Sequence, residues 1–240
     1  MSLTTSGASA IVEIWERGRH EHPVDRALTI LTVLSQRSRG DLAELSLESR
    51  DILLLECRRR IFGNHLSAWV ACPRCNCGVD VSLSADDVEA PEDRFDVVTA
   101  GRTLSVRMPT SLDLAAAAAE CQTVEAIREV LFERCACWGE HGDVVGIDMA
   151  SQGEIRAAVE AELDRRAGIS GGVVALSCPD CQENWEVELD VAAFAWREIE
   201  LLAGRLLRDV DVLARRYGWS EEQILSLSSD RRSFYLELAS

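Results

Sequence analysis

At 240 residues the chain can bury a substantial core, as one elaborated domain or two small ones, and 47% hydrophobic with 28% charged residues excludes wholesale disorder. Forty-one acidic residues against 25 basic ones, all arginine, give a net charge of −16, which excludes nucleic-acid binding except through a localised basic face. No apolar run approaches the ~20 residues needed to cross a bilayer, and MSLTTSGASAIVEIWERGR lacks the basic-then-apolar order of a secretion signal, so a soluble cytosolic protein is expected.

The first ten residues carry no pattern and read as disordered. Pro23 to Ser35 reads as a helix, with Val24, Leu28, Leu31 and Leu34 at three- and four-residue steps. A second helix is predicted from Leu47 to Phe62, with Ile52, Leu55 and Ile61 marking an apolar side and Gly63 as its stop. From Ala68 the period becomes two: Trp69 and Val70, the Cys72 and Cys75 pair, a turn at Asn76 to Gly78, then Val79, Val81 and Leu83. This predicts a hairpin with cysteines at its tip. Asp86 to Asp93 reads as an exposed connector, and Phe95, Val97, Leu104, Val106 and Met108 around Gly101 predict a further hairpin.

Thr110 or Ser111 can cap a helix through Ala115 to Ala119, and another is predicted from Val124 to Trp138. Ser151 with Glu154 has the capping-box spacing and opens a helix ending near Gly168. At Gly171 the period returns to two: Val173, Ala175, Cys178, a turn, Cys181, then Trp185, Val187 and Leu189. ACPRCNCGVDVSL and SCPDCQENWEVEL are thus one device used twice. A long helix follows from Val191 to Tyr217, striped by Ile199, Ala203, Leu206, Val210, Leu213 and Tyr217 and stopped by Gly218. Ser220 and Gln223 form a second capping-box pattern before a helix to Leu227, and Asp230 to Leu238 reads as the last helix. The arginine clusters Arg58-Arg59-Arg60, Arg165-Arg166, Arg215-Arg216 and Arg231-Arg232 are short and interleaved with acids, the pattern of solvated helix faces.

The expected fold class is therefore α+β and mainly helical, with a zinc-ribbon-like pair of β-hairpins split by a mixed β/helical insert. Residues 1–68 form a helical region, 69–84 with 173–190 the split ribbon, 85–172 the insert and 191–240 a C-terminal arm.

Nine cysteines without a secretion signal point to metal or structural thiols. Two Cys-x-x-Cys tips supply four thiolates, the set that structural Zn2+ prefers, at Cys72, Cys75, Cys178 and Cys181. The insert of roughly 100 residues does not oppose this, because loop-closure cost grows only logarithmically. Two other readings compete. A redox pair needs Cys-x-x-Cys to open a helix, whereas both motifs here run into strands. A disulfide framework leaves one of nine cysteines over. Cys77 and the Cys135-x-Cys137 pair read as buried apolar thiols, with substitute ligands or a second site as the other reading, and Cys57 and Cys121 as core residues of helices.

Four thiolates close the shell that a catalytic zinc keeps open, and the chain has no Walker loop, GxSxG elbow, HExxH helix or Rossmann glycine pattern. No enzyme and no small-molecule substrate are expected. His20 and His22 read as surface residues. Trp69, Trp185 and Trp196 read as packing around a small metal core, with a recognition surface as the other reading.

LLRDVDVLARRYGWSEEQILSLSSDRRSFYLELA, with its aromatic-Gly-Trp-Ser turn at Tyr217 to Ser220 and closing Tyr-Leu-Glu-Leu, resembles the ending of the T4-type phage baseplate hub assembly proteins of contractile phages and related injection systems. RRRIFG at Arg58 to Gly63, the CPRC tip and VRMPTSLDLAAAA at Val106 to Ala118 fit the same family, so the resemblance runs along most of the chain. It implies an accessory factor for a baseplate or hub, a chaperone or an incorporated part, whose partners are hub or spike proteins and not nucleic acid or membrane. The metal assignment rests on the cysteines and not on the family. The C-terminal arm, through Leu206, Val210, Leu213, Tyr217, Trp219 and Tyr235, is expected either to enter a partner groove or to pack on its own domain. A nucleic-acid-binding zinc-ribbon regulator is the alternative from another class, and a thiol oxidoreductase a third.

Overall fold

A computed structural model describes residues 5–84, 92–99, 101–138, 149–166 and 173–239. In chain order these form α1 (Thr5–Gly18), α2 (Pro23–Ser35), α3 (Arg39–Ala43), α4 (Leu47–Phe62), β1 (His65–Ala71), β2 (Gly78–Ser84), β3 (Arg94–Thr99) and β4 (Arg102–Arg107). Then come α5 (Ser111–Glu120), α6 (Val124–Cys135), β5 (Ala136–Trp138), α7 (Met149–Arg166), β6 (Val173–Ser177), β7 (Asn184–Glu188), α8 (Val191–Tyr217), α9 (Glu221–Leu225) and α10 (Ser229–Ala239). The fold is α+β and mainly helical, with small antiparallel sheets. Its elements group into two compact units.

In the first unit α8 is the central element. Its residues Ala195, Trp196, Ile199, Ala203, Leu206 and Leu213 recur at three, four and seven, so they fall on one face, and all are buried. That face meets α1, which buries Ala8, Ile11, Val12 and Ile14, and α2, which buries Ala27, Leu28, Ile30 and Leu31. α9 and α10 fold back on the same helix. Helix ends follow local chemistry. Pro23 opens α2 behind His22, whose Nδ1 accepts from the Val24 amide, and the Ser220/Gln223 capping box opens α9. Glycines with positive φ, Gly63 and Gly218, follow the ends of α4 and α8.

Two ion pairs lock this unit. Arg58 is buried and pairs with Glu198 through both Nε and Nη2 at 2.7 Å, while its remaining donors reach the carbonyls of Gly63 and His65. Arg232, also buried, holds Asp209 at 3.0 Å and so ties α10 to α8. Both arginines read as solvated in the sequence. Their carboxylate partners lie 140 and 23 residues away, beyond the reach of any local charge pattern.

The second unit is built on the sheet β3-β4-β5. Phe95, Val97, Leu104, Val106, Met108 and Ala136 from the sheet region pack against Ile155 and Val159 of α7. Beside it runs a buried polar network. Arg50 joins Asp51 at 2.7 Å and Ser111 at 3.1 Å, and the Leu47 amide donates to the Pro109 carbonyl at 2.8 Å. Asp113, almost fully buried, closes the α5 capping box with Thr110 and accepts from Arg107 and Arg134 at 2.5 to 2.8 Å. Burial pushes the Asp113 carboxyl up, but hydrogen bonds from Arg107, Thr110 and Arg134 outweigh it and hold the group well below the usual carboxylate range.

Several expectations are corrected. The opening residues are helical from Thr5 onward and supply core side chains, although their polar start reads as disorder. The helix expected to reach Trp138 stops at Cys135, because Ala136, Cys137 and Trp138 pair with Val106, Ser105 and Leu104 to add a third strand. α7 is already helical at Met149, so Ser151 is not its cap. α1, α2 and the C-terminal arm share one unit, whereas Gly40–Ile52 belongs to the other, so the compact units run across the segments read from the sequence. The connector through residue 91, the helix end near Gly168, the strand start at Gly171 and His141 lie outside the described residues.

Two outcomes are expected. A Cβ on Gly18 would stand 2.5 Å from the Trp196 ring, which is itself buried beneath Arg26. Gly18→Ala gains ~1 kcal/mol of helix propensity but overpacks at a cost of ~1–3 kcal/mol, so denaturant titration should show net destabilisation. Asp113→Asn leaves two arginines facing a lost charge and should cost on the order of 3 kcal/mol at pH 7. Because the folded carboxyl is depressed, its contribution is complete above the ordinary pKa and is lost as pH falls below ~4. Acid titration of stability should therefore be steeper for the unsubstituted chain than for Asp113→Asn.

Candidate metal centre

Both cysteine tips are built alike. In the first hairpin β1 and β2 pair with Val70 opposite Val79 and Ala71 opposite Gly78. Across its tip the Cys72 amide donates to the Cys77 carbonyl at 2.8 Å, and the Asn76 amide to the Cys72 carbonyl at 2.9 Å. In the second, β6 and β7 pair with Leu176 opposite Trp185 and Ser177 opposite Asn184. There the Cys178 amide donates to the Glu183 carbonyl at 2.8 Å, and the Gln182 amide to the Cys178 carbonyl at 3.0 Å. The residue after each second cysteine is left-handed, Asn76 with φ 61° and Gln182 with φ 58°. Asn and Gln there carry a small strain that the tip hydrogen bonds offset.

The Sγ atoms of Cys72, Cys75, Cys178 and Cys181 all lie within 4.8 Å of one another, and among the described residues this is the one such group of ligand-type side chains. A tetrahedral zinc with Zn–S bonds of ~2.3 Å has sulfur–sulfur edges of ~3.8 Å. The four sulfurs therefore fit a single ion with sub-ångström to ångström adjustment. Their chemistry fits as well: four soft donors and no carboxylate or imidazole favour zinc over hard cations. The Arg74 amide donates to Cys72 Sγ at 3.4 Å. Cys72 and Cys178 are each 2% exposed, Cys181 is half-buried and Cys75 is exposed.

The other cysteines divide. Cys57 is buried in α4, and burial pushes its thiol up, with Glu56 acting in the same direction and Arg60 against it, so it is a packing residue. Cys135 is buried at the end of α6, Cys121 is half-buried at the end of α5, and Cys77 is half-buried beside the first tip. Trp196 packs in the first unit's core. Trp69 instead lies across Gly78, where a Cβ would stand 2.0 Å from its Nε1, yet the ring stays 65% exposed. A glycine opposite the tip is thus what lets the indole cover the β2 backbone.

The arm residues expected to meet a partner fall into two sets. Leu206 and Leu213 are 1% and 0% exposed because they fill the core between α8 and its neighbours, so they present nothing to a partner. Val210, Tyr217, Trp219 and Tyr235 are half-buried. The last three form one aromatic group, with Tyr217 stacked on Trp219 at 4.7 Å and Tyr235 edge-on to both. Phe234, edge-on to Tyr235 at 6.1 Å, extends it on α10, and Phe234 and Leu238, not singled out in the sequence, are 58% and 56% exposed. Their spacing of four was the available signal.

Comparison with protein-family models, curated proteins and solved structures finds no match. No helix among the described residues is long and apolar enough to cross a membrane.

Elemental mass spectrometry of the purified chain should find one zinc per chain. Cys72→Ser and Cys178→Ser should each lose the metal and lower stability, since structural zinc binding is worth ~10–16 kcal/mol to the folded state. Cys57→Ala should keep full zinc content.

Proposed function

We propose that the chain is a non-enzymatic assembly factor for the baseplate or hub of a contractile tail or related injection system, held in shape by a structural zinc. The observation that carries the structural half is the meeting of four cysteine sulfurs on two matching hairpin tips. The assembly half is supported by the sequence resemblance, which spans the C-terminal helices, RRRIFG and VRMPTSLDLAAAA. Zinc bound by four thiolates has no position left for water or substrate, so its role in this reading is to hold the hairpins and not to react.

The partner-facing surface in this reading is the aromatic corner of α8–α10 and not the stripe of α8, which is consumed by the core. Trp219 and Tyr235 offer rigid aromatic area, and Phe234 and Leu238 offer exposed apolar area, the residue types that anchor interfaces. Removing the arm at Asp190 would take away α8 and unfold the first unit, so surface substitutions make the cleaner test. Co-expressed with the hub and spike proteins of a contractile tail, the chain should co-purify with one of them. Phe234→Glu with Leu238→Glu should abolish that complex while zinc content and helical circular dichroism stay unchanged. Co-purification with no tail protein would contradict the assembly reading. A nucleic-acid complex that weakens steeply with salt would favour the nucleic-acid-binding zinc-ribbon regulator instead.

A further inference from the structure

The two tips differ in one chemical respect. The carbonyl that receives the first cysteine's amide belongs to Glu183 in the second tip and to Cys77 in the first. A fifth thiol therefore stands two residues beyond Cys75, the most exposed of the four ligand-type cysteines, and is itself half-buried. Between them Asn76 is left-handed at φ 61°. Such a residue mirrors a helical one, and Cα atoms flanking one helical residue are ~5.4 Å apart. A disulfide spans Cα separations of ~4.4–6.8 Å, so Cys75 and Cys77 are within bridging range without unfolding the strands. Exposure of one thiolate beside a resolving thiol is the arrangement of a redox-responsive cysteine.

We propose that the first tip is an oxidant-labile half of the zinc site, in which hydrogen peroxide converts Cys75 and Cys77 into a disulfide and releases the metal. The inference rests on the zinc reading above. The Cys75 thiolate attacks one peroxide oxygen, the O–O bond breaks, and hydroxide leaves with Cys75 as the sulfenic acid. The Cys77 thiol then attacks that sulfur, an S–S bond forms and water leaves. Two electrons pass from the two sulfurs to one peroxide, which would leave a bound ion with three thiolate ligands, too few for a closed structural shell. Cys72 and Cys178 are shielded by burial, and the second tip carries Glu183 where the first carries Cys77, so the fifth thiol is a feature of the first tip. Reduction of the disulfide restores the ligand set.

The test uses the full chain as purified, with zinc content measured before any oxidant is added. Hydrogen peroxide is then titrated in, released zinc is followed with a metallochromic chelator, and peptide mass spectrometry maps the linkage. The expected result is zinc loss with a Cys75–Cys77 disulfide, and recovery of zinc binding after dithiothreitol. Cys77→Ser, and Cys77→Ala as a second variant, should bind zinc normally but fail to recover it, because the Cys75 sulfenic acid runs on to the sulfinic acid. Equal recovery in the variants, or a disulfide joining Cys75 to another ligand cysteine, would overturn the switch while leaving the zinc site intact. A chain without zinc at the outset would overturn the site itself, and that is read before peroxide enters.

Discussion

Convergence of four sulfurs from two hairpin tips is the constraint on which the proposed account depends. Bringing Cys72 and Cys75 to Cys178 and Cys181 closes a loop of roughly 100 residues, at an entropic cost of about 4–5 kcal/mol. The hairpins themselves supply little against it, since each is a two-stranded ribbon. Zinc binding by four thiolates, at ~10–16 kcal/mol, exceeds the closure cost several-fold. In this reading each tip presents two thiolates at one bite, held by the amide hydrogen bonds across residues 72–77 and 178–183.

Around this the helices use more ordinary forces. α8 buries one face against α1 and α2, and Glu198 and Asp209 along it satisfy the buried guanidinium groups of Arg58 and Arg232. Breaking either pair strands a charge, so these contacts specify where the arm lies as much as they stabilise it. Asp113 does the corresponding work in the second unit, where one carboxylate serves a helix cap and two arginines together.

Features set by local chemistry were legible in the sequence. α2 and α4 run as their apolar spacing predicts, Gly63 and Gly218 take positive φ after the helices they stop, and the Ser220/Gln223 box forms. The four-cysteine cluster was legible because each Cys-x-x-Cys tip carries its own geometry and the two tips sit in matching strand contexts. Features set by distant partners were not. Ala136 to Trp138 looks helical until β4 is there to pair with it, and Arg58 looks solvated until Glu198 reaches it. An apolar stripe likewise states that a face is buried but not against what, so Leu206 and Leu213 suited a partner groove and the chain's own core equally well. The exposed pair Phe234 and Leu238 presents the opposite problem, since their spacing of four marks one helix face but not whether that face is covered.

X-ray absorption at the zinc edge of the purified chain tests the central claim most directly, because it reports the atoms bound to the metal without reference to the rest of the fold. The account predicts a single shell of four sulfurs at ~2.3 Å with no light-atom ligand. A shell containing nitrogen or oxygen, or the absence of zinc from the purified chain, would contradict it.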